Sequence, residues 1–246
     1  MKEYIYSRNA VHETLRARRR HVFQLEIAQG VQEKGRMIEI LQLARERKIP
    51  IQEAARAHMD KIAPAHQGVI LETSGYPYVN LQDILDLAAR HSEPPFVLML
   101  DTLNDPQNFG TLLRTAEAVG VHGVILPLAR TVEVTPAVVN ASSGASEHLL
   151  IAQANLSQAI DELREAGVWT VGLDEAGEPF EEADGSRLQG GLAFVVGSEG
   201  EGIRPLVRSK CDFLLRLPMQ GRIESLNAAV AGSVALYLAY MARKKS

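Results

Sequence analysis

Apolar positions along this chain keep two rhythms, and the change between them falls near residue 96. Over residues 7–20, Val11 and Leu15 share one face at helical spacing, and residues 22–28 then alternate as a half-buried strand does. Helical spacing returns over residues 36–48 through Met37, Ile40, Leu41 and Ala44, and residues 49–51 and 68–72 read as short strands. The pattern predicts a small α/β domain over residues 1–75, ordered helix, strand, helix, strand, strand. Turn residues, a helical stretch over 81–90 and the stop at Glu93-Pro-Pro95 make residues 76–95 read as a linker. Beyond it, apolar runs at 96–100, 123–126, 148–152, 168–173, 192–196 and 213–217 alternate with helical stretches. That alternation predicts a six-stranded parallel sheet covered on both faces, an α/β domain spanning residues 96–246. Residues 174–190 are polar and acidic and read as an exposed loop. Residues 226–242 are apolar on nearly all sides, the pattern of a helix held between a sheet and a partner subunit.

Composition narrows the class. With 46% hydrophobic and 23% charged residues the chain is expected to pack rather than stay disordered. No charged leader precedes an apolar run at the N-terminus, and the one cysteine, Cys211, permits no internal disulfide, so a cytoplasmic protein is expected. The site loops hold no Cys/His cluster at zinc spacing, so no metal is expected. The apolar stretch 226–242 contains Asn227, Gly232 and Ser233 and falls short of the roughly 20 residues that span a bilayer, so no membrane partner is expected. Charge is uneven: residues 1–75 carry net +4 and residues 76–246 net −8. The front part is the expected contact for a polyanion, with Arg16, Arg18, Arg19, Arg20 and His21 as its densest cluster and Arg8, Asn9, Arg16, Arg18, Arg19 and Arg20 as the candidate contact residues. From charge alone the same Arg cluster is equally a solvated helix end.

Three polar loops follow candidate strands and so should meet at the carboxyl edge of one sheet. The first, after 96–100, runs through Asp101, Asn104, Asp105 and Asn108 into a helix bearing Arg114. A second, Gly197-Ser-Glu-Gly-Glu-Gly-Ile203, sets three glycines around two glutamates, which lets backbone approach a ligand closely. The third, Leu217-Pro-Met-Gln-Gly-Arg-Ile-Glu-Ser-Leu-Asn227, opens the last helix, where Ser225 taken alone reads as a helix cap. Neither the dinucleotide fingerprint nor the P-loop is present, which argues against a nicotinamide oxidoreductase.

Together these segments resemble the SpoU class of the SPOUT superfamily of RNA ribose 2′-O-methyltransferases. Asn108-Phe-Gly-Thr-Leu-Leu-Arg-Thr-Ala-Glu-Ala-Val-Gly120 is similar to its first motif, and the second and third loops to its second and third. The opening Tyr6-Ser-Arg-Asn-Ala-Val-His-Glu-Thr-Leu15 resembles the substrate-binding domain of members that methylate a guanosine of 23S ribosomal RNA, with Ser7 where a glycine is usual. The resemblance implies a deep trefoil knot in the C-terminal domain, S-adenosylmethionine bound there, and a homodimer formed through it. It assigns the cofactor to Gly197, Leu217 and Leu226 with Met219 and Leu173 beside them, and catalysis to Asn108, Arg114, Glu199, Ser225 and Asn227. Arg114 is expected to reach the site of the other subunit. A guanidinium stays protonated, so it is expected to stabilise the developing alkoxide rather than take a proton. The substrate is then ribosomal RNA rather than DNA. Transfer RNA, and a non-catalytic role as an RNA-binding assembly factor, stay open.

Overall fold

The computed structural model describes residues 2–182, 185–198, 200–222 and 225–244. The chain divides into two units. Met1–Pro77 with Glu133–His148 form unit 1, and Tyr78–Val132 with Leu149–Ser246 form unit 2.

Unit 1 is built on a four-stranded sheet of β1 (Lys2–Tyr6), β2 (Val22–Ala28), β3 (Ile51–Ala54) and β4 (Val69–Ser74) in the order β1-β4-β2-β3. β4 is antiparallel to both neighbours, and β2 and β3 are parallel. Helices α1 (Arg8–Ala17), α2 (Arg36–Glu46) and α3 (Arg56–Ile62) join the strands, and α1 buries Val11 and Leu15 as their spacing predicts. Two elements go beyond the sequence pattern. β1 has one buried residue, Ile5, and exists because it pairs with β4 at the far end of the unit. α1 stops at Ala17 because Arg18 turns left-handed, φ 56°, which releases Arg19 and Arg20 from the helix.

Unit 2 holds α4 (Leu81–His91), β5 (Phe96–Leu100), α5 (Pro106–Ala118), β6 (Gly123–Pro127), β7 (Leu150–Ala154), α7 (Leu156–Glu165), β8 (Val168–Pro179), β9 (Gly191–Val196), α8 (Pro205–Lys210), β10 (Phe213–Arg216) and α9 (Ala228–Arg243). The helix α6 (Pro136–Ala141) belongs to unit 1. All six strands are parallel, in the order β10-β8-β9-β5-β6-β7. β5, β6 and β9 are buried almost throughout, as expected of strands covered on both faces.

Residues 76–95, read as a linker, instead carry α4 into the core. Asn80 and Asp83 form a reciprocal capping box, Leu81 and Ile84 are buried with Val97, Ile125 and Ile160, and Val79 pairs with Ala152. The acidic segment read as a loop is in part strand, since β8 runs on to Pro179. Its extension pairs with β10 after a register shift between Leu214 and Leu215, so the order comes from a neighbour and not from an apolar pattern.

Candidate active site

The first loop leaves β5 at Asp101 and enters α5 at Asp105, whose side chain accepts from the backbone N–H of Gln107 and Asn108 at 3.2 and 3.1 Å. Pro106 at the first helical position completes the start. Asn108 is half-buried in the first turn, and Arg114 is exposed farther along the same helix.

After β9 the second loop folds back on itself: Ser198 and Gly202 exchange backbone hydrogen bonds of 3.1 Å. Gly200 and Gly202 have φ of 89° and 67°, and a Cβ on Gly197 would lie 2.1 Å from the carbonyl carbon of Gly202. Only glycine permits that closeness. The turn is moored to the first loop through Asp101, which is fully buried and accepts from the backbone N of Arg204 at 2.8 Å and its Nε at 2.7 Å.

The third loop ends at Asn227, and the structure shows which of its residues caps the last helix. Asn227, not Ser225, caps α9, its Oδ1 accepting from Ala229 and Val230 at 2.9 and 3.2 Å. Its Nδ2 donates to Oδ1 of Asn108 at 3.2 Å, tying the first loop to the third. Ser225 is left exposed in the cleft.

Between the second loop, the third loop and the far end of β8 opens a cleft of about 1140 Å³. Gly197, Leu217, Leu226, Met219 and Leu173, the expected cofactor residues, all line it, as do Ser225 and Asn227. Asn108 and Arg114 are not among its lining residues, and Glu199 lies outside the described residues. The acidic stretch read as an exposed loop supplies most of an acidic wall: Asp174, Glu175, Glu181 and Glu182, with Glu201 of the second loop, line the cleft, and Arg216 is the basic counterpart. Arg208 donates to Asp174 from Nε at 2.6 Å and holds that carboxyl below its ordinary range against the cost of burial. Apolar side chains, close backbone and excess carboxylate suit a flat heteroaromatic ligand with a net positive charge. S-adenosylmethionine, with a sulfonium, an ammonium and one carboxylate, is such a ligand.

The Arg cluster of unit 1 is divided by the structure. Arg20 is no surface residue: its side chain is fully buried, donating from Nε and Nη2 to Glu147 at 2.8 and 2.9 Å and from Nη1 to Glu3 at 2.6 Å. Burial opposes its charge, but these carboxylates outweigh burial and its pKa is raised. Arg20 therefore has no face for RNA. Arg19 bonds Tyr76 Oη and the carbonyl of Pro77 and lies over the Tyr76 ring. Arg8 bonds Gln67, Arg16 pairs with Glu13, and Asn9 and Arg18 are exposed.

His91, Glu93 and His122 in unit 2 come close enough to suggest a cation site. Nδ1 of His122 accepts from the backbone N of Phe96 at 3.0 Å, so in the neutral ring the proton sits on Nε2, towards Glu93. That nitrogen has no lone pair to offer a metal.

The family comparisons give the class, an RNA methyltransferase with a substrate-binding part. The chain belongs to the SpoU family: residues 95–237 match the SpoU rRNA Methylase family, and residues 4–79 match the RNA 2′-O ribose methyltransferase substrate-binding family. YacO of Bacillus subtilis, assigned to the TrmH family of tRNA/rRNA methyltransferases, is 41% identical over 98% of this chain and 96% of its own. The 23S rRNA (guanosine-2′-O-)-methyltransferase RlmB of Pseudomonas putida is 38% identical over 98% of this chain and 97% of its own. In fold, the SpoU methyltransferase AviRb of Streptomyces viridochromogenes, solved in complex with AdoMet, matches with a TM-score of 0.81 at 23% identity, over 100% of this chain and 92% of that one.

Proposed function

We propose that this protein transfers a methyl group from S-adenosylmethionine to the ribose 2′-hydroxyl of a guanosine in 23S ribosomal RNA. The observation that carries the reading is an acid-walled cleft lined by the second and third loops, to which the first loop is tied by the hydrogen bond between Asn227 and Asn108. Bound in the cleft, S-adenosylmethionine supplies an electrophilic methyl on sulfur. The protein's task is to set the ribose oxygen in line with it and stabilise the oxygen as its proton leaves. The Asn108–Asn227 pair and Ser225 orient the ribose, and the Arg114 guanidinium stabilises the developing alkoxide. Arg114 performs this in the cleft of a second subunit, docked on the apolar face of α9. In unit 1, Arg8, Asn9, Arg16 and Arg18 remain as RNA contacts.

Labelled methyl transfer to unmodified 23S ribosomal RNA, with the modified nucleotide mapped, tests the proposal. Arg114→Ala is expected to lower kcat at least 100-fold, the scale of losing one transition-state donor. Its calorimetric affinity for S-adenosylmethionine should stay within twofold of the parent. A large loss of that affinity would refute this division of labour. The likeness to YacO, named for tRNA and rRNA alike, supports transfer RNA as the second reading, and the same assay on transfer RNA separates the two. Tight RNA binding without methyl transfer to either RNA would instead point to an assembly factor.

A further inference from the structure

Resting on that reading, we propose that Arg204, aimed by the buried carboxylate of Asp101, grips a phosphate of the RNA backbone beside the nucleotide being methylated. Asp101 has no exposed surface, and it accepts from Arg204 three times: from the backbone N at 2.8 Å, from Nε at 2.7 Å and, as an ion pair, from Nη2 at 2.6 Å. Holding the turn would require only the backbone bond. The other two fix the inner edge of a guanidinium whose side chain remains 47% exposed.

A buried group that locks the orientation of a half-exposed one is how a binding residue is held ready. The outer edge of the fork still has N–H donors, and a phosphate oxygen is the acceptor whose geometry they match. The position fits the task. Asp101 follows β5 and Arg204 closes the turn after β9, and these strands are neighbours in the sheet. The guanidinium thus lies at the carboxyl edge, between the loop leading to Asn108 and the turn lining the cleft. Phosphate contacts set the register of an RNA without reading its bases, which is what a ribose-directed reaction needs near its target.

Arg204→Gln, Arg204→Lys and Asp101→Asn separate this role from mooring of the loop. RNA binding is measured apart from turnover, against salt, and S-adenosylmethionine affinity is measured by calorimetry. Arg204→Gln should raise KM for RNA about tenfold and flatten the log–log salt dependence of RNA binding by about one. Its affinity for S-adenosylmethionine should stay within twofold. Arg204→Lys should recover the salt dependence but only part of KM, because an ammonium lacks the fork. Asp101→Asn should raise KM for RNA with less change in salt dependence, since the cation remains but is no longer aimed. If Arg204→Gln weakens S-adenosylmethionine binding as much as RNA binding, or leaves RNA binding and its salt dependence unchanged, the arginine only moors the loop and the inference fails. A parent protein that binds RNA but methylates none would sink the proposed activity while leaving the phosphate contact measurable.

Discussion

Single residues show how far a motif can be read without coordinates. Ser7 departs from the glycine usual in its resembled motif, and the structure gives it φ 74° and ψ 148°, a region that glycine tolerates and other residues reach under strain. Ser7→Gly should therefore stabilise the protein by about 1 kcal/mol, the part of that strain left after glycine's greater freedom in the unfolded chain is subtracted. Urea unfolding would show it as a higher midpoint at constant slope, and a lower midpoint would mean the strain is illusory. Ser225 and Asn227 make the opposite point. Both are good caps two residues apart, and propensity alone does not say where the helix begins. The choice falls to Asn227 because its amide serves both ends, accepting from α9 and donating to Asn108. Asp101 was visible as a polar residue at a strand end, but its partner Arg204 stands far along the chain and no local pattern joins them.

Among the elements, strands with continuous apolar runs were legible and those ordered by a neighbour were not. β5, β6 and β9 bury nearly every residue and announce themselves, whereas β1 and the far end of β8 follow from pairing with β4 and β10. α9 was legible in kind, apolar on nearly all sides, and the structure sorts its faces. Ala229, Gly232, Ala235, Leu236 and Ala239 are buried, and Gly232 lets the helix approach Leu112 of α5 and Val196 of β9. Val230, Val234, Tyr237, Leu238 and Met241 form an exposed stripe at helical spacing, with Tyr237 and Met241 about half exposed. Covered by a second copy, that stripe would lose its water, so the parent should sediment as a dimer. Val234→Glu combined with Tyr237→Glu should give a monomer that keeps its fold by circular dichroism. If Arg114 acts across the dimer, methyl transfer disappears with it, and an active monomer would contradict that arrangement.

At the scale of the whole molecule, unit 1 is assembled from two stretches of chain, 1–77 and 133–148. The stitch is ionic and buried: Arg20 from the first stretch meets Glu147 from the second, both side chains without exposed surface, and Gly144 packs directly against Glu13. Removing one member strands the other charge, so Arg20→Ala should cost about 3–5 kcal/mol, read from denaturant unfolding. Replacing both by apolar residues of similar size, Arg20→Met with Glu147→Leu, should recover part of the loss, because the fully buried Glu147 charge is removed and only Glu3, which is partly exposed, is left without its guanidinium. For the same reason a truncation of residues 1–75 is a poor test of RNA recognition, since it leaves Glu147 without its guanidinium. The sequence by itself determined the two-part α/β organisation, the parallel sheet and the three polar loops at its edge, because burial on both faces and helical spacing are written into consecutive residues. Tertiary structure alone decided which arginines are used up inside the protein, which asparagine caps α9, and that residues 133–148 join unit 1. Those outcomes depend on pairings between residues tens to more than a hundred positions apart, and such pairings leave no trace in local periodicity.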